Sequence, residues 1–571
     1  MRVRSWLRLI PRDVVALSVC ALVFFSIGVW WGVPNATGPD RVQSWGVDDD
    51  TPLGPLTQVD QILHPQPDPW LSYPLMHSFV AAAVYAPYFL GLVLTGQFRG
   101  ASATFPFGLS DPVGTLRVLT LLAHVLSAFM AAIVVGAATW TGRMLWDRPT
   151  GIVYGILVLF SFPLVYYARV GNVDATAMAF TMLAVAAFVH VMQTGLSVPS
   201  AIALGGFVGA ALATKESSVG LFVIMPVLIL ARRRSAAHTG VTSKPGTGFW
   251  RAAAAGAFSC GLVFGLGSGL LVDPSRFFAH VRYLRGLLDL VAASDVGHPF
   301  AFRYDAAGHA GYLRATAKKL VDGMTVPGLL LAAAGVGIAF RRRTPSRTLF
   351  WLPLSYLVYL FVSYRLVQIR YVMPAMLLLL GFSASALVTM ARAPGPGLRF
   401  VALMLGLGIF GQETLVATDY TYQMVRDSRF SAGAWLSQRT VDGDVVAYFG
   451  PPSTLPPLRA SVVTVRATEN RGMYWKPRLD DAKVAEILDG WRARRPDFLI
   501  TMPDYTSHGL VMHSHSLPPR LYEQLLDGRA GFTVAAEFHT PKLFSWLPQP
   551  ALDYPVVNPP IRIFVPVTGK R

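Results

Sequence analysis

The sequence predicts an α-helical polytopic membrane protein with a small soluble α/β domain at its C-terminal end, and three observations carry that prediction. Of 571 residues, 53% are hydrophobic and only 14% are charged, with a mean hydropathy of +0.45, which is too apolar for a string of soluble domains. Apolar runs near the length needed to cross a hydrocarbon layer, about 20 residues, recur through residues 1–416. Beyond residue 416 the composition falls to ordinary globular values.

The net charge of +17 does not describe a nucleic-acid surface, because the charges are too few to cover the apolar bulk. The excess Arg and Lys instead mark cytoplasmic loops. Cys20 and Cys260 lie in distant apolar runs, so neither a disulfide framework nor a cysteine metal site is supported. The basic-flanked run Asp13 to Val33 is longer than a signal-peptide core and is expected to be an uncleaved first span.

Candidate spans follow at 14–33, 73–96, 116–140, 151–168, 174–193, 199–214, 217–231, 251–272, 324–340, 348–363, 372–390 and 400–416. Basic clusters fall at Arg2, Arg4, Arg8 and Arg12, at Arg143 and Arg148, at Arg232 to Arg234 with Lys244 and Arg251, at Arg341 to Arg343 with Arg347, and at Arg392 with Arg399. If all twelve runs crossed, the first cluster would lie inside and the later ones outside. Removing one early crossing puts every cluster inside. The run 73–96, which opens on Tyr73-Pro74 with His77 in its first turn, is therefore expected to be a juxtamembrane or re-entrant helix. About 11 transmembrane helices remain. The N-terminus is then cytoplasmic, and 34–115, 273–323 and the domain 417–571 are extracytoplasmic in a multi-pass protein of the plasma membrane. In that domain Val445 to Phe449 and Asp497 to Ile500 read as strands, and Ala482 to Arg494 as a helix.

The external segments carry the candidate chemistry. The first loop is acidic, with Asp40, Asp48, Asp49, Asp50, Asp60 and Asp68 against Arg41. It reads either as a solvated acidic turn or as a general base with neighbouring carboxylates that orient a nucleophile or bind a divalent cation. Arg169 to Asp174 and Lys215-Glu216 each join two spans on the same side. They are either interfacial charges or ion pairs lining an external cavity. Arg365 and Arg370-Tyr371 place cations against the positive-inside trend, where a guanidinium fork suits a phosphate at headgroup level or an aromatic and cationic anchor suffices. The loop 273–323 has His280, Arg282, Tyr283, Arg285, His298, Arg303 and His309 in no recognised metal spacing and reads as a cover. No Walker A, dinucleotide, HExxH or GxSxG pattern is present. Asn35-Ala36-Thr37 fits a glycosylation sequon.

Taken in order, these motifs resemble the GT-C glycosyltransferases, in the branch of the protein O-mannosyltransferases and the lipid A aminoarabinose transferase. Trp45-Gly46-Val47-Asp48-Asp49 stands where that branch has an acidic pair after the first span, with Asp where Glu is common. Tyr73-Pro74-Leu75-Met76-His77 is similar to its Tyr-Pro-Pro-Leu entry to a juxtamembrane helix, without the second Pro. Arg169 to Asp174, Thr214-Lys215-Glu216 and Arg370-Tyr371-Val372-Met373-Pro374 match its remaining polar turns.

The resemblance implies transfer of a sugar from a polyprenyl-phosphate donor to a glycan, lipid or protein acceptor on the extracytoplasmic side. Asp48 would act as base, with Asp49 or Asp50 as alternatives. Asp49, Asp50, His77, Arg169, Asp174 and Glu216 would orient donor or acceptor, and Lys215, Arg365, Arg370 and Tyr371 would hold the lipid phosphate. A divalent cation, Mg or Mn, would sit on Asp48, Asp49 and Asp174. A single displacement would invert the anomeric centre. Two other functions fit the residues: a secondary transporter or lipid flippase with charges along a substrate path, and an assembly protein whose external domain binds a partner. The charges gather at one membrane face, which favours the transferase.

Overall fold

The computed structural model describes residues 11–34, 44–46, 52–65, 71, 73–102, 104–238, 247–293, 302–449, 455–459, 461–466, 481–502, 519–550 and 557–567. The helices are α1 (Arg12–Ser26), α2 (Gly54–Leu63), α3 (Met76–Leu94), α4 (Pro112–Leu145), α5 (Arg148–Phe160), α6 (Phe162–Tyr167), α7 (Val173–Thr194) and α8 (Val198–Leu212). They continue as α9 (Val219–Phe222), α10 (Met225–His238), α11 (Thr247–Gly267), α12 (Pro274–Ala293), α13 (Ala306–Arg341), α14 (Arg347–Tyr359), α15 (Ile369–Ala391), α16 (Pro396–Val425) and α17 (Ser428–Ser437). Seven helices among the described residues are long and apolar enough to cross a membrane, and shorter apolar helices at Arg148–Phe160 and Val198–Leu212 pack beside them. The chain is a multi-pass membrane protein.

Side-chain contacts fix which helix ends lie together. Asp13 pairs with Arg143, and Asp147 with Arg392. Gln193 reaches the Met144 carbonyl, and Arg232 reaches the Gln193 carbonyl at 2.9 Å. The described basic clusters therefore gather at one end of the bundle. At the other end Arg117 donates to Pro34 O, Arg169 to Ile27 O, and Lys215 to Asp174. Between these two ends the described chain passes back and forth several times.

Helix α3 is not one of these passages, although its length and hydropathy would allow it. His77 at its start shares a hydrogen bond with Thr176 in the first turn of α7. Just past its end, Gln97 O accepts from Ser110 N at 2.9 Å, and Arg99 N donates to Gly108 O at 2.8 Å, beside the start of α4. A 19-residue helix is about 28 Å long, so a crossing would separate these contacts by the full membrane. Both ends lie at the Lys215 end, and α3 runs across the bundle.

Several boundaries differ from the sequence expectation. The described residues of 273–323 are mostly helical: they form α12 and the first half of α13, which breaks at Thr325 (φ 62°) just before Pro327 and then enters the bundle. Arg370 and Tyr371 occupy the first turn of α15 rather than a connecting turn. The last bundle helix runs to Val425 instead of stopping at 416. The turns past 416 carry Asp419 and Gln423, which broke the apolar pattern, yet both are buried. Asp419 accepts from the backbone of Leu543 and Phe544 at 3.1 and 3.2 Å, so these polar turns anchor the C-terminal domain.

That domain has a five-stranded sheet in the order β2-β1-β3-β5-β4, from β1 (Val445–Tyr448), β2 (Val463–Arg466), β3 (Phe498–Thr501), β4 (Phe532–Phe538) and β5 (Ile561–Pro566). The first three strands are parallel and β5 is antiparallel to both neighbours. Alternation along β1 sends Val446 and Tyr448 to the core shared with the bundle, and Ala447 and Phe449 to a second core. The second core is closed by α18 (Asp481–Arg494) and α19 (Pro519–Leu526) through Leu488, Trp491 and Leu525.

In a background of Cys20→Ser and Cys260→Ser, single cysteines at the exposed positions Gln97 and Ser110 should label from one side of a sealed vesicle with a membrane-impermeant maleimide, and a cysteine at the exposed Arg234 from the other. Labelling of Gln97 with Arg234 would mean that α3 crosses.

Candidate active site

The described part of the site is built where α7 begins and α8 ends. Asn172 caps α7, its side chain accepting from Asp174 N at 3.0 Å. Asp174 thus lies in the first helical turn, where the helix dipole favours a carboxylate. Lys215 follows the α8 terminus, and its Nζ donates to Asp174 Oδ1 at 2.5 Å. Both are almost wholly buried, at 5% and 2% exposure. Arg370 Nη1 stands 4.0 Å from Asp174 Oδ2, and Arg370 Nε donates to Gln368 Oε1 at 2.8 Å. The Tyr371 ring lies under both cations, with Lys215 Nζ 4.6 Å and Arg370 Cζ 5.3 Å from its centroid, and packs 4.9 Å from Tyr364. Two cations on one carboxylate leave a local excess of positive charge at a buried spot, which is suited to an anion.

A second group adjoins the first through Glu216. His280 Nε2 lies 3.7 Å from Glu216 Oε2, and His280 Nδ1 is 2.9 Å from Leu71 O. One turn earlier on α12, Arg276 donates Nη1 to Gln58 O at 2.8 Å and holds Nε 3.9 Å from Asp273 Oδ2. Burial pulls the Arg276 pKa below its ordinary value, while Asp273 opposes that shift. Glu216 Oε2, Asp273 Oδ2, Arg276 Nε and Nη2, and His280 Nε2 are buried without a hydrogen bond among the described residues. Buried polar atoms of this kind are rarely left unsatisfied, and their concentration here is what a site for a polar ligand looks like. Arg276, Asp273 and His280 were not picked out from sequence, because they read as part of a mixed cover loop. The helical spacing Asp273-x-x-Arg276-x-x-x-His280 puts all three on one face and was the available signal.

Of the other expected residues, His77 joins the site: its Nδ1 is 3.0 Å from Thr176 Oγ1, two residues along from Asp174. Arg169 points elsewhere. Its guanidinium donates to Ile27 O, Val165 O, Phe24 O and Thr421 Oγ1 at 2.7, 2.6, 2.9 and 3.2 Å, so it braces helices. Arg365 is likewise engaged away from the pair, in a left-handed backbone conformation (φ 54°). It donates to Phe302 O at 3.1 Å and to Arg303 O, inside a cage of Tyr304, Tyr312 and Phe361.

Asp48, Asp49 and Asp50 lie outside the described residues. Their flanks are described. Trp45 packs on Trp31, on Phe430 and under the Arg429 guanidinium at 3.9 Å. On the other side, α2 supplies the Gln58 carbonyl to Arg276. No three His, Cys, Asp or Glu side chains among the described residues form a group able to hold a metal ion, and Asp174 already gives one oxygen to Lys215.

Lys215→Met should destabilise the protein by about 3–5 kcal/mol, because Asp174 keeps its buried charge and only the more distant Arg370. The double variant Asp174→Asn with Lys215→Met should recover part of that loss. Thermal unfolding of the three proteins in one detergent checks the order.

Several known proteins are similar to this chain. No curated protein sequence matches it at a significant level. Among solved structures, ArnT from Cupriavidus metallidurans bound to undecaprenyl phosphate shares 13% identity over 98% of each chain, with a TM-score of 0.46. The oligosaccharyltransferase AglB from Archaeoglobus fulgidus, in complex with an inhibitory peptide and a dolichol-phosphate, shares 10% over 88% of this chain and 71% of its own, with a TM-score of 0.44. The arabinofuranosyltransferase AftD from Mycobacteria shares 15% over 97% of this chain and 41% of its own, with a TM-score of 0.40. Residues 74–245, which include His77, Asp174, Lys215 and Glu216, match the family described as dolichyl-phosphate-mannose-protein mannosyltransferase.

Proposed function

We propose that the protein is a membrane glycosyltransferase that moves a sugar from a polyprenyl-phosphate carrier to an acceptor hydroxyl, with inversion at the anomeric carbon. The observation that supports this most is the anion-ready pocket at the end of the bundle opposite the basic clusters. There Lys215 and Arg370 meet at Asp174, His280 stands beside Glu216, and Arg276, one turn before His280 and 3.9 Å from Asp273, keeps two guanidinium nitrogens without a hydrogen bond among the described residues. The match of residues 74–245 to a family named for a lipid-phosphate sugar donor agrees with that chemistry.

The acceptor oxygen attacks the anomeric carbon, the bond from that carbon to the phosphate oxygen breaks, and the lipid phosphate leaves with the electron pair. Asp48 takes the hydroxyl proton, and Asp49 and Asp50 orient the acceptor or replace it as base. Asp174 does not act as base, since Lys215 holds its carboxylate; it sets the position of Lys215 and Arg370. Those cations and Arg276 neutralise the charge that grows on the leaving phosphate, and being already fixed in place they cost no reorganisation during the reaction. Tyr371 holds the two cations apart, and His77 braces the α7 turn that carries Asp174.

The basic end is cytoplasmic under the positive-inside rule. The N-terminus then lies in the cytoplasm, and the chain beyond Val425, with its α/β domain, lies outside the plasma membrane, where it covers the catalytic end. We read residues up to about 425 as the catalytic module.

Asp48→Asn should lower transfer from a synthetic polyprenyl phosphosugar by roughly 10²- to 10⁴-fold with donor binding intact. Full activity would remove Asp48 from the base role. Arg276→Gln should raise the KM for the donor roughly tenfold or more, the scale of a lost charge-assisted hydrogen bond, in the same assay.

A further inference from the structure

A cleft between α8, α10 and α11, on the basic half of the bundle, has no part in the chemistry above. It encloses about 400 Å³ and is lined by apolar side chains including Leu204, Val208, Met225, Ile229, Phe249 and Trp250. It exists because small residues bring the backbones of α8 and α11 together: a Cβ on Gly205 would stand 2.0 Å from Gly256 O, and one on Gly209 2.6 Å from Cys260 O. That close approach leaves α10 standing off as the third wall. Trp250 at its rim is 60% exposed.

The rim is cationic and carries no counter-charge. Arg233 lies over the Phe249 and Trp250 rings, 4.0 and 5.2 Å from their centroids. Arg232 donates to Gln193 O at 2.9 Å. Arg234 and Arg251 are exposed beside them. The sequence has no Asp or Glu from 175 to 215, nor from 217 to 272, so none of the three walls, nor the loops that join them at this end, supplies a carboxylate. An apolar slot under an unopposed set of guanidinium groups complements a molecule with a hydrocarbon tail and an anionic head. Basic pockets between membrane helices bind anionic lipid headgroups in this way.

We propose that this cleft binds one anionic diacyl phospholipid, its acyl chain between α8, α10 and α11 and its phosphate on Arg233 and Arg251. The site is separate from the catalytic end and does not depend on the reaction proposed there. Trp250 lies where chain meets headgroup, the depth at which membrane tryptophans concentrate.

Native mass spectrometry of the full chain in detergent, titrated with dioleoyl phosphatidylglycerol or dioleoyl phosphatidylcholine, tests the proposal. One phosphatidylglycerol should be retained about tenfold more tightly than phosphatidylcholine. The double variant Arg233→Gln with Arg251→Gln should lose that preference, at a cost of about one charge contact per Arg. Ala253→Phe, which fills the cleft without changing charge, should weaken both lipids. The Arg variants alter surface groups, so they keep the test valid if the filled cleft fails to fold. Equal retention of the two lipids would mean an unspecific hydrocarbon belt and would overturn the site. So would unchanged phosphatidylglycerol binding in the Arg variant. Displacement of phosphatidylglycerol by equimolar undecaprenyl phosphate would reassign the cleft to a prenyl carrier and overturn the phospholipid.

Discussion

The bundle depends on one guanidinium that meets no acid among the described residues. Arg169 is completely buried and satisfies itself on carbonyls. Phe24 O and Ile27 O stand at the point where α1 unwinds after Ser26. The last carbonyls of any helix lack intrahelical partners and carry partial negative charge, so a cation placed there answers several open acceptors together. The same side chain reaches Thr421 near the end of α16. It therefore joins α1, α6 and α16 at the end of the bundle that holds Lys215. In an environment without water, removing it would take the side-chain donor away from Ile27 O and Val165 O.

A second buried charge carries the geometry outward. Asp427, just past α16, accepts from Trp31 Nε1 at 3.0 Å and from Asn558 N at 2.7 Å, and is chelated by Arg429 at 2.8 and 2.7 Å. Arg429 in turn lies 3.9 Å over the Trp45 ring. Gly32 permits this stack: its φ is +73°, and a Cβ there would stand 2.8 Å from Trp45 N. The C-terminal domain, the end of the first passage and the tryptophan three residues before Asp48 are thereby one packed unit. The α/β domain is thus tied to the segment that leads into the acidic triplet, and not to the bundle alone.

The group around Glu216 shows the opposite economy. Structural charges such as Arg169 and Asp427 use up their hydrogen-bonding capacity, whereas Arg276, His280, Glu216 and Asp273 keep buried atoms without partners. Leaving such atoms unmet costs free energy, and a fold tolerates that cost where a ligand will recover it. Arg169, Arg365 and Arg276 all looked alike as Arg residues near predicted membrane ends. Their difference is in what surrounds the guanidinium, which is a property of packing.

The sequence by itself determined the multi-pass membrane class and the strands and helix of the tail, because these follow from local hydropathy and strand alternation. It also singled out Asp174, Lys215, Glu216 and Arg370, since a charge next to an apolar run is conspicuous without coordinates. It stopped the last apolar run short of the end of its helix, because Asp419 and Gln423 interrupt an apolar pattern yet are buried. Only the tertiary structure decided that Arg169 is met by carbonyls, and that α12 brings His280 to Glu216 with Arg276 one turn before it. The physical reason is that a guanidinium looks the same in sequence whether it binds a carbonyl, an aromatic ring or an absent anion. Which of these it does depends on atoms tens or hundreds of residues away.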